Sequence, residues 1–347
     1  MDDRSRTSLC STAFGHPAPR REQCASGTQK VTQTIAVTGT TGFIGQAVCK
    51  RLTDAGYHVR ALVRAHGTTA LPVSGMVTRV TGSLEDMTSL EALVKNAVAV
   101  VHCAGAVRGA TQQQFDRVNV DGVRRLLQAL ESRNPSARLL TLSSLAAREP
   151  QLSYYAASKY KGEQVLISEA RKVSWLALRP PAVYGPGDRE LLPLFQFMAR
   201  GIAPLPGSPE ARFSMVFVED LAGAVLAWLR CERFTSGVYT IDDGTVGGYN
   251  WLDVVAIVAR LCRRPVRTLQ IPGWMLGIVA HVNRVASRLF GYAPMLTPEK
   301  LRELCHPDWV CDSTEFTEQT GWKPAVQLEE GLQLTPGWSG FRPEPVN

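Results

Sequence analysis

Residues 34–45, Thr-Ile-Ala-Val-Thr-Gly-Thr-Thr-Gly-Phe-Ile-Gly, constrain this chain more than any other stretch. A short apolar run leads into Gly39, Gly42 and Gly45, and the apolar pattern resumes at Ala47, Val48 and Leu52. That order reads as strand, tight turn and helix. Without a Cβ, glycine lets the backbone turn sharply and lets a pyrophosphate come close, while the start of the helix aims unpaired N–H groups at its charge. The spacing is G-x-x-G-x-x-G and not the G-x-G-x-x-G of the usual dinucleotide fingerprint, so the surrounding pattern has to carry the reading.

That pattern is an alternation. Strands are expected over 34–38, 58–63, 76–80, 98–102, 137–142 and 174–178, and helices over 43–55, 87–96, 112–132, 154–171 and 189–200. The strands are nearly continuous apolar runs, such as Val98-Ala99-Val100-Val101, as expected for a parallel sheet covered on both faces. The helix over 112–132 places Val118, Val123, Leu126, Leu127 and Leu130 on one stripe. The expected fold is therefore α/β, a Rossmann-type doubly wound parallel sheet with ligand beyond the carboxyl ends of its strands. After Pro186 the loops multiply, at Gly201, Pro204, Pro206, Gly207 and Pro209. A strand near 214–218, a helix over 219–230 and a strand near 237–241 follow, and these can contribute to the nucleotide-binding part. The expected organisation is a disordered extension over 1–32, a nucleotide-binding domain over 33–185, a smaller and mostly helical substrate lobe over 186–335, and a tail over 336–347.

Composition narrows the function. The 347 residues are 45% hydrophobic and 20% charged, enough for a packed core. The formal charge of +7 comes without a dense Lys/Arg run or interleaved aromatics, which argues against a nucleic-acid partner and fits an anionic cofactor. Eight cysteines without a C-x-x-C pair fit a reduced, cytoplasmic protein. Cys305, His306, Asp308 and Cys311 match no standard zinc spacing, so no metal site is expected.

The chemistry-bearing residues lie at 143–163. Tyr155 and Lys159 are four apart on an expected helix and share a face. An ammonium close to a phenol favours the phenolate and can bring its pKa, ordinarily near 10, down toward neutrality. Such a tyrosine can exchange a proton with a carbonyl or alcohol oxygen. The strand before this helix ends in Ser143-Ser144, which places a hydroxyl where ligand should lie. Tyr154 adjoins Tyr155, but only Tyr155 has a lysine four residues on.

Gly39-Thr-Thr-Gly42-Phe-Ile-Gly45, Ser143-Ser144, Tyr155-Ala-Ala-Ser-Lys159 and Arg179-Pro-Pro-Ala-Val-Tyr-Gly-Pro-Gly-Asp188 follow one another in a familiar order. The chain resembles the extended short-chain dehydrogenase/reductases, the NAD-dependent epimerase/dehydratase group, over about residues 33–245 and more weakly to about 335. The resemblance implies Tyr155 as general acid/base, Lys159 as its pKa partner and ribose ligand, and Ser144 as oxygen stabiliser. It also implies cofactor contacts from Gly39, Thr41, Gly42, Phe43, Ile44, Gly45, Ser83, Leu84, Cys103, Ala104, Gly105 and Pro181, and a mainly architectural Asn119. Two departures stand out. Ser83 follows Gly82 where the family usually has an adenine-reading aspartate. Leu145-Ala146 follow Ser144 where a dehydratase commonly carries Asp-Glu, which argues against dehydration.

The second strand ends Val63-Arg64, with no acid to bind a ribose 2′-hydroxyl. An arginine there suits a 2′-phosphate, so NADP(H) is the expected cofactor, with NAD(H) the alternative. The expected activity is carbonyl/alcohol interconversion by hydride transfer on a small-molecule substrate. The alternatives are a nucleotide-sugar epimerase with a tightly bound cofactor and a non-catalytic NADPH-binding assembly protein. Relatives of this type often form homodimers through helices on the sheet face. Residues 272–291 are apolar, with Arg284 and Arg288 toward the end, and fit either a core helix or a basic amphipathic helix in peripheral contact with a membrane.

Overall fold

The computed structural model describes residues 32–65, 75–290, 292, 294 and 296–339. The extension expected over 1–32 falls outside this range except for residue 32, as does the expected tail beyond residue 339. In chain order the first half runs β1 (Thr34–Thr38), α1 (Phe43–Asp54), β2 (His58–Val63), β3 (Val77–Thr81), α2 (Met87–Val94), β4 (Ala99–His102), α3 (Gln112–Asn119), α4 (Asp121–Arg133), β5 (Arg138–Leu142), α5 (Tyr154–Glu169) and β6 (Trp175–Arg179). A 3₁₀ turn, Leu145–Arg148, separates β5 from α5. The second half runs β7 (Ala182–Tyr184), α6 (Leu192–Ala199), β8 (Ile202–Pro206), β9 (Arg212–Phe213), β10 (Met215–Phe217), α7 (Val218–Arg230), β11 (Gly237–Thr240), β12 (Tyr249–Asn250), α8 (Trp251–Cys262), β13 (Arg267–Ile271), α9 (Gly273–Phe290), α10 (Pro298–Leu304), β14 (Asp308–Trp309), α11 (Thr314–Thr320) and α12 (Leu328–Leu334).

Seven strands form one parallel sheet in the order β3-β2-β1-β4-β5-β6-β11. The winding reverses between β1 and β4, and that crevice is where a doubly wound sheet takes its ligand. Both faces are covered. Val48 and Leu52 of α1 and Leu221, Val225 and Trp228 of α7 pack one side, while Leu90 and Leu93 of α2, Leu126, Leu127 and Leu130 of α4 and Leu166 of α5 pack the other. This double burial is why the strands read as unbroken apolar runs. A third apolar cluster, built from residues after 181, joins Tyr184, Phe195, Leu205, Phe217, Val258 and Leu332.

Three expectations need correction. The helix expected over 112–132 is two helices that meet at Val120, whose backbone stays in the right-handed helical region with φ stretched to −111° (ψ −61°). The turn is imposed from outside. A Cβ at Gly162 of α5 would sit 2.4 Å from the Asn119 carbonyl oxygen, so α5 lies hard against this joint. The helix expected over 189–200 starts at Leu192, because the Asp188 carboxylate accepts from the Glu190 and Leu191 N–H groups and holds a turn there. The stretch after residue 186 also carries more strand than expected, in three small sheets that pair β10 with β7, β13 with β8, and β12 and β14 with β9.

Candidate active site

The glycine turn closes on the end of β4. Gly39 has φ +73°, and a Cβ there would lie 2.5 Å from the Ala104 nitrogen and 2.6 Å from the Cys103 carbonyl carbon. At Gly45 a Cβ would reach to 2.0 Å of the Gly39 carbonyl oxygen. Neither position tolerates a side chain, and together they bring the ends of β1 and β4 against each other. The Gly42 N–H donates to the Gly39 carbonyl (3.0 Å), and α1 then begins with no side-chain cap and no acid in its first turn. A helix start left bare beside a backbone cradle fits a pyrophosphate. Thr41 and Phe43 line this turn, and Phe43 also lies 3.6 Å from a Cβ placed on Gly187.

Beneath the turn the polar groups are interlocked. The Thr38 hydroxyl and His102 Nδ1 are 2.7 Å apart. Burial, then the charge of Lys159, pushes the His102 imidazole down to about 3, so the ring is neutral. Among the described residues the buried Thr40 hydroxyl and His102 Nε2 have no hydrogen-bond partner. Asn119 ties the loop after β4 to α5, accepting from the Ala106 N–H (2.9 Å) and donating to the Ser158 hydroxyl (2.8 Å). The architectural part expected of Asn119 has this geometry behind it.

The ends of β5 and β6 complete the edge. Lys159, nine-tenths buried, donates to the Leu142 carbonyl (2.8 Å), and its Nζ lies 2.9 Å from where a Gly105 Cβ would be. Burial pushes its pKa down to about 8, against the opposing charges of Glu163 and Cys103. Ser144 caps the 3₁₀ turn, accepting from the Ala146 N–H (3.2 Å). The Tyr155 phenol is pushed up to about 12 by burial, a hydrogen bond with Ser144 pulls the other way, and the Glu303 charge adds to the rise. The phenol acidified by Lys159 that helix spacing leads one to expect is therefore absent from this arrangement. The ammonium turns to a strand carbonyl and Tyr155 turns to Ser144.

The structure thus gathers Gly39, Thr41, Gly42, Phe43, Ile44 and Gly45 after β1, Cys103, Ala104 and Gly105 after β4, Ser144 after β5, and Pro181 after β6, all at the carboxyl edge of the sheet, with Tyr155 and Lys159 on α5. Arg64, Ser83 and Leu84 stand apart from these, past β2 and β3 on the outer side of the crevice. Arg64 is exposed, Ser83 Oγ accepts from the Glu85 N–H (3.2 Å), and Leu84 packs 3.0 Å from a Cβ placed on Gly122.

Sequence reasoning missed two groups. Glu163 is buried and receives both Arg179 nitrogens (2.8 and 2.6 Å) together with the Ser143 hydroxyl, which locks the end of β5 to α5 and β6. Its signal was one turn past Lys159, in a helix read only for its tyrosine and lysine. The second group comes from α10. Lys300 Nζ sits 5.0 Å from the centroid of the Tyr155 ring, and Glu303 accepts from the Ser153 hydroxyl (2.6 Å). Nothing local in the sequence points across that separation.

A switch-point crevice with a glycine cradle, flanked by a tyrosine, a lysine and a serine, defines a nicotinamide-nucleotide enzyme of the oxidoreductase and epimerase type. The model of the NAD dependent epimerase/dehydratase family matches residues 35–241, and the chain belongs to that family. It is 34% identical over 315 residues to a ceramide reductase of Caulobacter vibrioides, covering 90% of this chain and 97% of that protein. It is 26% identical to a UDP-glucose 4-epimerase of Vibrio cholerae, over 89% of this chain and 96% of that one. The solved structure of MoeE5 in complex with UDP-glucuronic acid and NAD superposes with a TM-score of 0.67 at 22% identity, covering 88% of this chain and 98% of MoeE5. At that identity the likeness concerns the fold.

Proposed function

We propose that this protein is an NADP(H)-preferring reductase that converts the carbonyl of a ceramide-class lipid to a secondary alcohol. The observation that carries the reading is the gathering of Ser144, Tyr155 and Lys159 at the carboxyl edge of the sheet beside the glycine cradle, with burial holding the phenol protonated at neutral pH. A phenol near 12 is the form an acid needs in order to give a proton to a developing alkoxide. Ser144 steadies that oxygen as its charge grows. The Gly39-Gly42-Gly45 turn and the start of α1 would hold the pyrophosphate, and Lys159, beside Gly105, would hold the nicotinamide ribose. The bound cofactor supplies the hydride. The absence of an acid at Val63-Arg64 and the exposure of Arg64 support the phosphorylated cofactor. The relative named as a ceramide reductase supports the lipid substrate, and the residues after 186 supply the lobe over which it would lie.

The test measures NADPH consumption by purified protein with a ceramide-class lipid ketone in mixed micelles, beside UDP-glucose interconversion. Lipid-dependent oxidation of NADPH, cut by a factor on the order of 10²–10⁴ in Tyr155→Phe with nucleotide binding intact, is the expected result. In the reverse direction the alcohol oxidation should speed up with rising pH, because the phenolate becomes populated only toward the raised pKa. Sugar epimerisation without lipid reduction would overturn the proposal.

A further inference from the structure

Helix α9 turns an apolar stripe to solvent. Trp274, Met275, Ile278, Val279, Val282 and Val285 are all exposed, Trp274 by 68% and Val282 by 60%, whereas Ala280 and Ser287 are buried. At 100° per residue the six exposed positions fall within one arc and the two buried ones lie opposite. Single exposed apolar residues are ordinary on a protein surface, but a contiguous stripe marks an interaction site. The strand leading into the helix extends it, with Leu269 of β13 also more than half exposed.

The segment that carries this stripe holds charge of one sign. Between residues 254 and 298 the chain carries six arginines and no aspartate or glutamate. Arg260 is paired with Glu329 and Arg284 with Glu299, while Arg263, Arg264 and Arg267 are exposed at the end that leads into β13. No helix among the described residues is long and apolar enough to cross a membrane. An apolar helix face with Trp at one end and a cationic border has the chemistry of the plane between headgroups and acyl chains. Two copies paired on this face about a two-fold axis would set arginine-rich borders near each other without an acid in the segment to offset them.

We infer that the α9 face seats this protein on an anionic membrane surface, with the stripe in the interface and the arginines among the headgroups. The seat is physically continuous with the candidate site. Asn283 of α9 donates to the Leu296 carbonyl (2.8 Å), Arg284 holds Glu299 of α10 (3.2 Å), and α10 sets Lys300 over the Tyr155 ring. A substrate drawn from the same bilayer would meet the protein beside α10. That last point rests on the proposed lipid reduction, but the docking does not.

Flotation of the full chain with vesicles of phosphatidylcholine alone, and of phosphatidylcholine mixed with phosphatidylglycerol, separates the two. The protein should float with the anionic vesicles, come off them as salt is raised, and float at least tenfold less as Ile278→Glu/Val282→Glu. Both positions are exposed, so thermal melting and NADPH binding should stay unchanged in that variant. Arg263→Glu/Arg267→Glu keeps the stripe intact and should lose the preference for anionic vesicles. Protein that stays at the bottom of the gradient with both vesicle types would overturn the inference, as would undiminished flotation of the Ile278/Val282 variant. A dimer in sedimentation that this variant turns into monomer would assign the face to a second copy instead. Because flotation reads no turnover, failure of the substrate assignment leaves this result standing, and the converse holds as well.

Discussion

Replacing Lys159 by methionine should make the protein more stable at neutral pH while removing its proposed activity. The native ammonium is nine-tenths buried, and its pKa falls from 10.5 to about 8 because burial disfavours the charge. At about 1.4 kcal/mol for each pH unit, that difference is a native-state penalty of about 3 kcal/mol. Above pH 10.5 both folded and unfolded chains hold a neutral amine and the penalty vanishes. Below about 8 both hold the ammonium and it is complete. Stability of the wild type from this group therefore rises with pH between 8 and 10.5. Methionine keeps the length and the apolar stem but loses the hydrogen bond to the Leu142 carbonyl, which costs about 1 kcal/mol. The net gain at pH 7 is about 2 kcal/mol. For a folded unit of this size the gain raises Tm by about 3 °C. Melting curves of wild type and Lys159→Met taken from pH 7 to 10.5 in the absence of nucleotide read the effect directly. The variant should melt higher at pH 7, the gap should shrink through pH 9, and the order should reverse near 10.5. A variant that melts lower than wild type by the same amount at every pH would refute the reasoning.

In Gly45→Ala the new methyl group meets the Gly39 carbonyl oxygen at 2.0 Å, so the cradle must open, and NADPH affinity by fluorescence titration should drop more than tenfold. Glu163→Ala leaves the Arg179 guanidinium without its carboxylate partner and should cost about 3 kcal/mol in urea denaturation at pH 7. An unchanged denaturation midpoint would mean the pair contributes nothing net. Arg64→Ala should raise KM for NADPH about tenfold and leave KM for NADH nearly unchanged, since a ribose 2′-phosphate loses a charged partner worth about 1.4 kcal/mol and a 2′-hydroxyl does not. Equal kinetics with both cofactors before and after substitution would remove Arg64 from cofactor choice.

The parts of this molecule that could be read from sequence are those whose cause is local. The six sheet strands before residue 180 fall within a residue of expectation, five of them because they are largely buried and so had to be apolar runs, while the edge strand β3 (Val77–Thr81) has no buried residue and shows only Val77 and Val80 as apolar positions. The glycine turn was legible because Gly39 and Gly45 answer to backbone atoms that no side chain could approach. What escaped was set at a distance. The joint at Val120 interrupts an apolar stripe that is itself continuous, because α5 presses on the Asn119 carbonyl from elsewhere in the chain. Strand β8 contains Pro204 and Pro206, which read as loop, yet it forms one side of a two-stranded pairing with β13, where proline is tolerated. The relation of Tyr155 to Lys159 shows the limit most plainly. Four-residue spacing puts two Cβ atoms on one helix face, but it does not say where a long lysine side chain ends. Here it ends at the Leu142 carbonyl.

That separation bears on which reaction the site favours. A phenol raised to about 12 by burial is protonated at pH 7 in this arrangement. A cycle that begins with oxidation, as sugar epimerisation does, must first find the phenolate and so starts from that rare state. A cycle that begins with reduction starts from the populated acid. At neutral pH His102 is neutral, and the buried Lys159, held near 8, carries an ammonium under the crevice. Its Nζ lies 2.9 Å from where a Gly105 Cβ would be, while burial keeps the phenol protonated. On the proposed reading, binding a cofactor and delivering a proton fall to different side chains of one helix.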